Sequence, residues 1–140
     1  MTVWRITGGE GAPDPGAREA PRYDIVEHDS ALLRITAASG VPRVLLAGEV
    51  DVSNTAAVAR ALRAVQDRVS GDLHADLSGV EFMDVAGLRA FSEAARALHE
   101  RDCLLVLHGV PPHIERLFTL IGWNATPGLE IHCPPRPLAR

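Results

Sequence analysis

Lysine is missing altogether: all fourteen basic residues are arginines, set against eighteen acidic residues for a formal net charge of -4. An acidic balance with the arginines scattered along the chain excludes a nucleic-acid surface built on general phosphate contacts, which needs a basic stripe. Two cysteines, Cys103 and Cys133, are too few for a disulfide framework. Cys103 opens an apolar run where a buried thiol is the ordinary arrangement, and both cysteines read as reduced. No apolar run approaches the length of a transmembrane helix. The first twenty residues, MTVWRITGGEGAPDPGAREA, carry no apolar segment behind a basic start and do not read as a signal peptide. The expectation is a soluble, cytoplasmic protein, neither secreted nor membrane-spanning.

What is present is a globular composition. The 140 residues are 46% apolar and 23% charged, with 12 Gly and 10 Pro, which suits one cored domain rather than a disordered or collagen-like chain. The abundance of Arg and Ala, with no Lys, resembles proteins encoded by GC-rich bacterial genomes. Residues 8–21, GGEGAPDPGAREAP, read as a linker or loosely held arm. A brief strand at 3–7 precedes them, with Trp4 in need of a surface to bury against, and a short edge strand is expected at 23–28. The resulting division is an N-terminal arm at 1–28, a folded domain at 29–133 and a C-terminal tail at 134–140.

Within the domain, the β-rich runs 31–36 and 43–47 flank a Gly/Pro connection and predict a hairpin. Ser53 is placed to cap a helix from about 54 to 69, with Val58, Leu62, Val65 and Val69 on one face. A short strand at 74–77 leads into Ser78-Gly79-Val80-Glu81-Phe82-Met83-Asp84. The clearest amphipathic helix follows at 85–100, where Leu88, Phe91, Ala95 and Leu98 form the apolar stripe. The continuous run 103–107 predicts a strand buried on both faces. A third helix is expected at 113–121, stopped by Gly122 as a C′ glycine, and an edge strand at 129–132 that the prolines at 134, 135 and 137 cannot continue. Strand–helix–strand steps with right-handed crossovers predict an α/β fold.

Chemical motifs are sparse. Gly8-Gly9-Glu10-Gly11 follows no convincing strand and lacks the lysine of a phosphate-binding loop. No serine sits in a G-x-S-x-G frame. Six histidines invite a metal, yet none has close ligand spacing; His132 adjoins Cys133, and Cys103 and His108 lie five apart, so a site would need remote segments to converge. Neither catalytic residues nor a metal or other cofactor is expected. Glu49, Asp51, Asp76, Glu81 and Asp84 gather at strand ends, where α/β proteins place their sites. Structural roles serve them equally well: Asp84 as a helix N-cap, Asp51 as a turn former, Glu81 facing water.

Three segments taken together carry a resemblance. They are Leu46-Ala47-Gly48-Glu49-Val50-Asp51, the run from Ala75 to Leu88, and Leu104-Leu105-Val106-Leu107 with Ile114-Glu115-Arg116-Leu117-Phe118-Thr119-Leu120-Ile121-Gly122. In this order they are similar to the STAS domain of bacterial anti-sigma factor antagonists, over roughly residues 31–126. The resemblance implies a mixed β-sheet with helices packed mainly on one side and no enzymatic activity. It also implies signal transduction and transcription regulation by binding an anti-sigma factor or kinase-like regulatory protein, without direct contact to nucleic acid or membrane.

In the phospho-regulated members of that family, Phe-Met-Asp is followed by Ser-Ser-Gly, and a kinase that is also the anti-sigma factor phosphorylates the second serine. Here Asp84 takes the aspartate position, Val85 and Ala86 the two serine positions, and Gly87 that of the glycine. Neither Val85 nor Ala86 has a hydroxyl, so the charge that would govern release cannot be installed there. Ser78 and Ser92 retain hydroxyls but do not match the family site. The resemblance implies a partner-binding surface of Glu49, Asp51, Ser53, Asp84, Val85, Ala86, Gly87 and Arg89. An alternative keeps the fold for a sensory or scaffold module that binds a small ligand or another signalling domain, and a homodimer is open in either case.

Overall fold

The structure is a computed structural model and describes residues 22–134. The strand expected at 3–7, the Gly/Pro-rich segment after it and the last six residues of the tail lie outside the described residues. Six strands and three helices follow one another as β1 (Ile25–Asp29), β2 (Leu33–Ala37), β3 (Arg43–Val50), α1 (Thr55–Arg68), β4 (Leu73–Met83), α2 (Val85–His99), β5 (Leu105–His108), α3 (Pro112–Ile121) and β6 (Leu129–Ile131), with one turn of 3-10 helix over Trp123–Ala125 before β6. Among the described residues no helix is long and apolar enough to cross a membrane.

The strands lie side by side in chain order. β1, β2 and β3 are antiparallel, whereas β3 through β6 run parallel. Because each parallel crossover steps the same way across the sheet and is right-handed, all three helices land on one face. This is the mixed α/β sheet with one-sided helices that the resemblance implies. Leu33, Ile35, Val44, Leu46, Leu73, Ala75, Leu77, Leu105 and Leu107 point to that face and are fully buried, with Val58, Leu62 and Val65 of α1, Leu88 and Phe91 of α2, and Ile114 and Phe118 of α3 packed over them. The apolar stripe expected on α2 is the buried one. Gly122 adopts a left-handed conformation, φ +89°, and its N–H closes α3 on the carbonyls of Phe118 and Thr119, as a terminating glycine should.

Two elements differ from the sequence expectation. β4 does not stop at Leu77 but runs on to Met83, and it carries more residues between Asp76 and Met83 than β3 does between Leu45 and Val50. The excess is taken up in irregularities of the ladder that break the two-residue alternation, so Val80 and Met83 still reach the core while Glu81 and Phe82 stay exposed. β5 begins at Leu105 rather than Cys103, because Cys103 and Leu104 complete the turn out of α2, with the Leu104 N–H bonded to the Asp72 carboxylate at 2.8 Å. Ser92 is buried on α2.

Among the described residues, no helix covers the other face of the parallel strands. Residues between the core positions emerge there, and they include Arg43, His74, Asp76, His108 and Glu130. Nδ1 of His74 lies 2.8 Å from Nε2 of His108, with the rings stacked at 5.1 Å, and the His108 ring lies 5.4 Å from that of His132. Partial burial holds both His74 and His108 below the ordinary imidazole value, reinforced for His74 by the Arg43 charge and for His108 by His74. The unfolded chain therefore binds more protons than the folded one once the pH falls below about 6.5. Stability contributed here is complete above that value and declines as the pH drops toward the lowered folded-state values. Urea unfolding at pH 7.5 and 5.5 should show a smaller loss in a His74→Gln/His108→Gln double variant than in the parent; equal losses would dissociate the pair from the acid sensitivity.

Candidate partner-binding surface

The C-terminal ends of the parallel strands β3 and β4 and the N-termini of α1 and α2 meet at one end of the sheet, the usual place for a site in a parallel α/β layer. Two short segments, 48–54 and 81–87, build this end, and side chains tie them together. The Asp84 carboxylate caps α2 by accepting from the Gly87 N–H at 3.0 Å, and its second oxygen accepts from the Val52 N–H at 3.3 Å. The Asp84 N–H in turn donates to the Val50 carbonyl at 3.1 Å. Asp84 is thus both the helix cap allowed by the sequence and a clamp between the two loops.

Asp51 accepts from both the N–H and the hydroxyl of Ser53. The capping position of α1 belongs not to Ser53 but to Asn54, whose side chain makes no capping bond. Asn54 is only 6% exposed; its Oδ1 accepts from the Asp51 N–H at 3.0 Å and its Nδ2 donates to the Glu49 carbonyl at 2.9 Å. A buried amide with both ends satisfied fixes the turn more firmly than an exposed serine. At the neighbouring α3 terminus, His113 Nε2 donates to the Glu81 carbonyl at 3.0 Å.

The surface over this frame is largely apolar. Val52 is 75% exposed, Val85 49% and Phe82 48%. A groove of about 450 Å3 runs between α1 and α2 and is lined by Val52, Thr55, Ala56, Ala86, Arg89 and Glu93, among others. Of the residues singled out in the sequence, Ala86 and Arg89 line the groove, Val85 stands beside it, and Ser53 is on the exposed loop. Glu49, Asp51 and Asp84 are half-buried, and Gly87 is buried. A Cβ on Gly87 would lie 2.6 Å from Met83 Cγ and 2.8 Å from Val50 Cγ1, so this glycine lets the start of α2 sit tight on the strand ends. Asn54, Val52, Thr55 and Phe82 are further contributors that the sequence reading did not single out: Asn54 neighbours the serine expected to cap α1, and Phe82 is turned outward by the β4 irregularity.

An Asp84→Ala variant loses the cap and the clamp together, with an expected destabilisation of about 1–2 kcal/mol. Urea titration measures it, and a loss below a few tenths of a kcal/mol would mean that neither bond contributes.

Fold and surface define a class before any relative is considered: a mixed α/β domain that offers an apolar, loop-clamped helix terminus. Among the described residues, no three His, Cys, Asp or Glu side chains are grouped to hold a metal ion. The family model described as "Mlab, STAS domain" matches residues 33–131, and the chain belongs to the STAS domain family. It is 35% identical over 79 residues to the anti-sigma-B factor antagonist of Listeria monocytogenes, covering 56% of this chain and 69% of that protein. The anti-sigma-B factor antagonist of Staphylococcus epidermidis is 33% identical over 79 residues, covering 56% and 73%. Among solved structures, an anti-sigma factor antagonist from Mycobacterium paratuberculosis superposes with a TM-score of 0.57 at 27% identity, over 69% of this chain and 81% of that one. A protein from Thermotoga maritima described as a putative anti-sigma factor antagonist shares the fold, with a TM-score of 0.56 at 16% identity over 66% and 80% of the two chains.

Proposed function

We propose that the protein is a non-enzymatic regulatory module that binds a kinase-like anti-sigma protein through the 48–54 and 81–89 surface, without phosphorylation at the start of α2. The observation that carries this reading is the pair Val85-Ala86 at the exposed start of α2, beside an apolar groove. Phosphoryl transfer requires a nucleophilic oxygen, nitrogen or sulfur, and these hydrocarbon side chains have none. A surface that cannot acquire a phosphate at this point is held in its uncharged form, which suits continuous binding or control by another input. The named relatives are antagonists of anti-sigma factors, and that supports the class of partner.

Affinity capture of the tagged protein from its source organism, with and without ATP, tests the reading. A kinase-like anti-sigma protein recovered by the parent and lost with Ala86→Glu supports it. Folded protein that recovers none overturns it. The absence of a hydroxyl at Val85 and Ala86 also suits a second reading: a sensory or scaffold module that binds a small ligand or another signalling domain. A different signalling protein captured through the same surface would select that reading.

A further inference from the structure

We infer that the cavity between the C-terminal ends of α1 and α2 is the seat of the chain's own N-terminal segment, residues 3–7, with the Trp4 indole inserted. The cavity, of about 180 Å3, lies at the end of the helix layer opposite the partner-binding surface. Leu98 is 2% exposed, and with half-buried Val69 and Cys103 it gives the cavity an apolar wall. A cavity of roughly 150 Å3 admits a benzene-sized ring, so this one suits a single aromatic side chain. Its polar lining narrows the choice. Gln66 and Ser70 bring side-chain oxygens that can accept an N–H, and the Arg101 guanidinium can lie against a ring face. An indole has the apolar body and the single donor that this lining asks for, and Trp4 is the only aromatic residue among 1–21.

The place at which the chain enters the fold favours this occupant. Residues 1–21 precede the described ones. β1 is antiparallel to β2 and β2 to β3, so β1 points the same way as β3 and starts at the end of the sheet where α1 and α2 stop. Glu27 of β1 pairs with Arg68 in the last turn of α1, which puts the root of the N-terminal segment beside the helix end that forms one side of the cavity. Both helices touch β4, which lies three strand spacings, or about 14 Å, from β1. Residues 8–21 reach about 45 Å when extended, so the span is met with length to spare. A tethered segment is present at millimolar effective concentration, and the contact need not be tight to be filled.

Fluorescence of the full chain carrying Trp123→Phe, which leaves Trp4 as its only indole, tests the assignment. The expected result is a blue-shifted emission that acrylamide quenches several-fold less than it does in the urea-unfolded chain. Adding Ser70→Phe, which fills the mouth of the cavity from an exposed position, should return the emission and the quenching to those of an exposed indole. Arg116→Phe, on the exposed side of α3, should change neither. Trp4→Ala should lower the melting temperature of the otherwise unaltered chain by roughly 4 °C, as loss of a partly buried indole requires. The difference between the parent and Trp4→Phe spectra gives the same reading with Trp123 in place, so the test stands even if Trp123→Phe does not fold. An exposed-type Trp4 emission in the folded chain, or a blue shift that survives Ser70→Phe, overturns the assignment. A blue shift that fades on dilution also overturns it, by giving the cavity to the segment of a second copy.

Discussion

Replacing Ala86 by glutamate is expected to reduce partner affinity about a hundredfold, roughly 3 kcal/mol, because a carboxylate enclosed at an apolar interface without a counter-charge is left uncompensated. Ala86 lines the groove between α1 and α2, and the uncharged side chains of Val52, Ala56 and Val85 lie around it. Arg89 and Glu93 line the same groove, so its lining carries no net positive charge to offset a newcomer. The same substitution should leave the fold intact. It places a negative charge in the first turn of α2, where the helix dipole stabilises it by a few tenths of a kcal/mol up to about 1. Binding and stability should therefore move in opposite directions, and calorimetric binding alongside urea unfolding measures both. Unchanged affinity would remove this surface from the interface. Ala86→Ser is the complementary variant: it restores a hydroxyl at the family position, and its phosphorylation by the captured partner with ATP would show that the partner keeps its kinase activity.

Gly48→Ala is expected to destabilise the domain by about 3 kcal/mol and to lower the melting temperature by roughly 10 °C. Gly48 has φ +122°, and a Cβ there would lie 2.1 Å from the Leu32 carbonyl oxygen. That carbonyl cannot easily withdraw, because it accepts the Glu49 N–H at 2.9 Å and sits at the mouth of β2. The damage arises at the turn that carries Glu49, Asp51 and Asn54, so the binding surface should suffer with the fold. Gly40→Ala is the control. Its φ of +77° is also left-handed, but nothing lies within 4 Å of the added carbon, and the expected loss is only about 1 kcal/mol of backbone strain. Equal effects in the two variants would mean that the close approach to Leu32 contributes nothing.

Local periodicity made much of this architecture readable. The stripe of Leu88, Phe91, Ala95 and Leu98 marks α2 because a helix buried on one face repeats every three to four residues, and all four are buried. Asp84 was legible as a cap because a short carboxylate before a helical pattern has few other places to go. β4 was cut short because its irregularities place Leu77, Val80 and Met83 three residues apart, a spacing that belongs to neither regular strand nor isolated motif. The exchange of Ser53 for Asn54 has a similar origin: both residue types cap helices, and only burial separates the amide that braces the turn from the hydroxyl that decorates it. Tertiary pairings left no trace at all. The clamp from Asp84 to Val52 and the meeting of His74 with His108 and His132 depend on which strands lie side by side, which no local pattern records.

The identity of sheet order and chain order has a further consequence, for how the protein is made. Among the described residues every strand adds next to the one synthesised before it, so none of these pairings waits for a segment from the far end of the chain. The antiparallel β1–β3 unit can assemble while the later crossovers are still being translated, and each helix–strand unit then docks on a finished edge. Such sequential growth keeps loop closures short and leaves one open strand edge at a time on the growing side, which favours rapid, vectorial folding and limits the interval in which an unpaired parallel strand is available for misassociation.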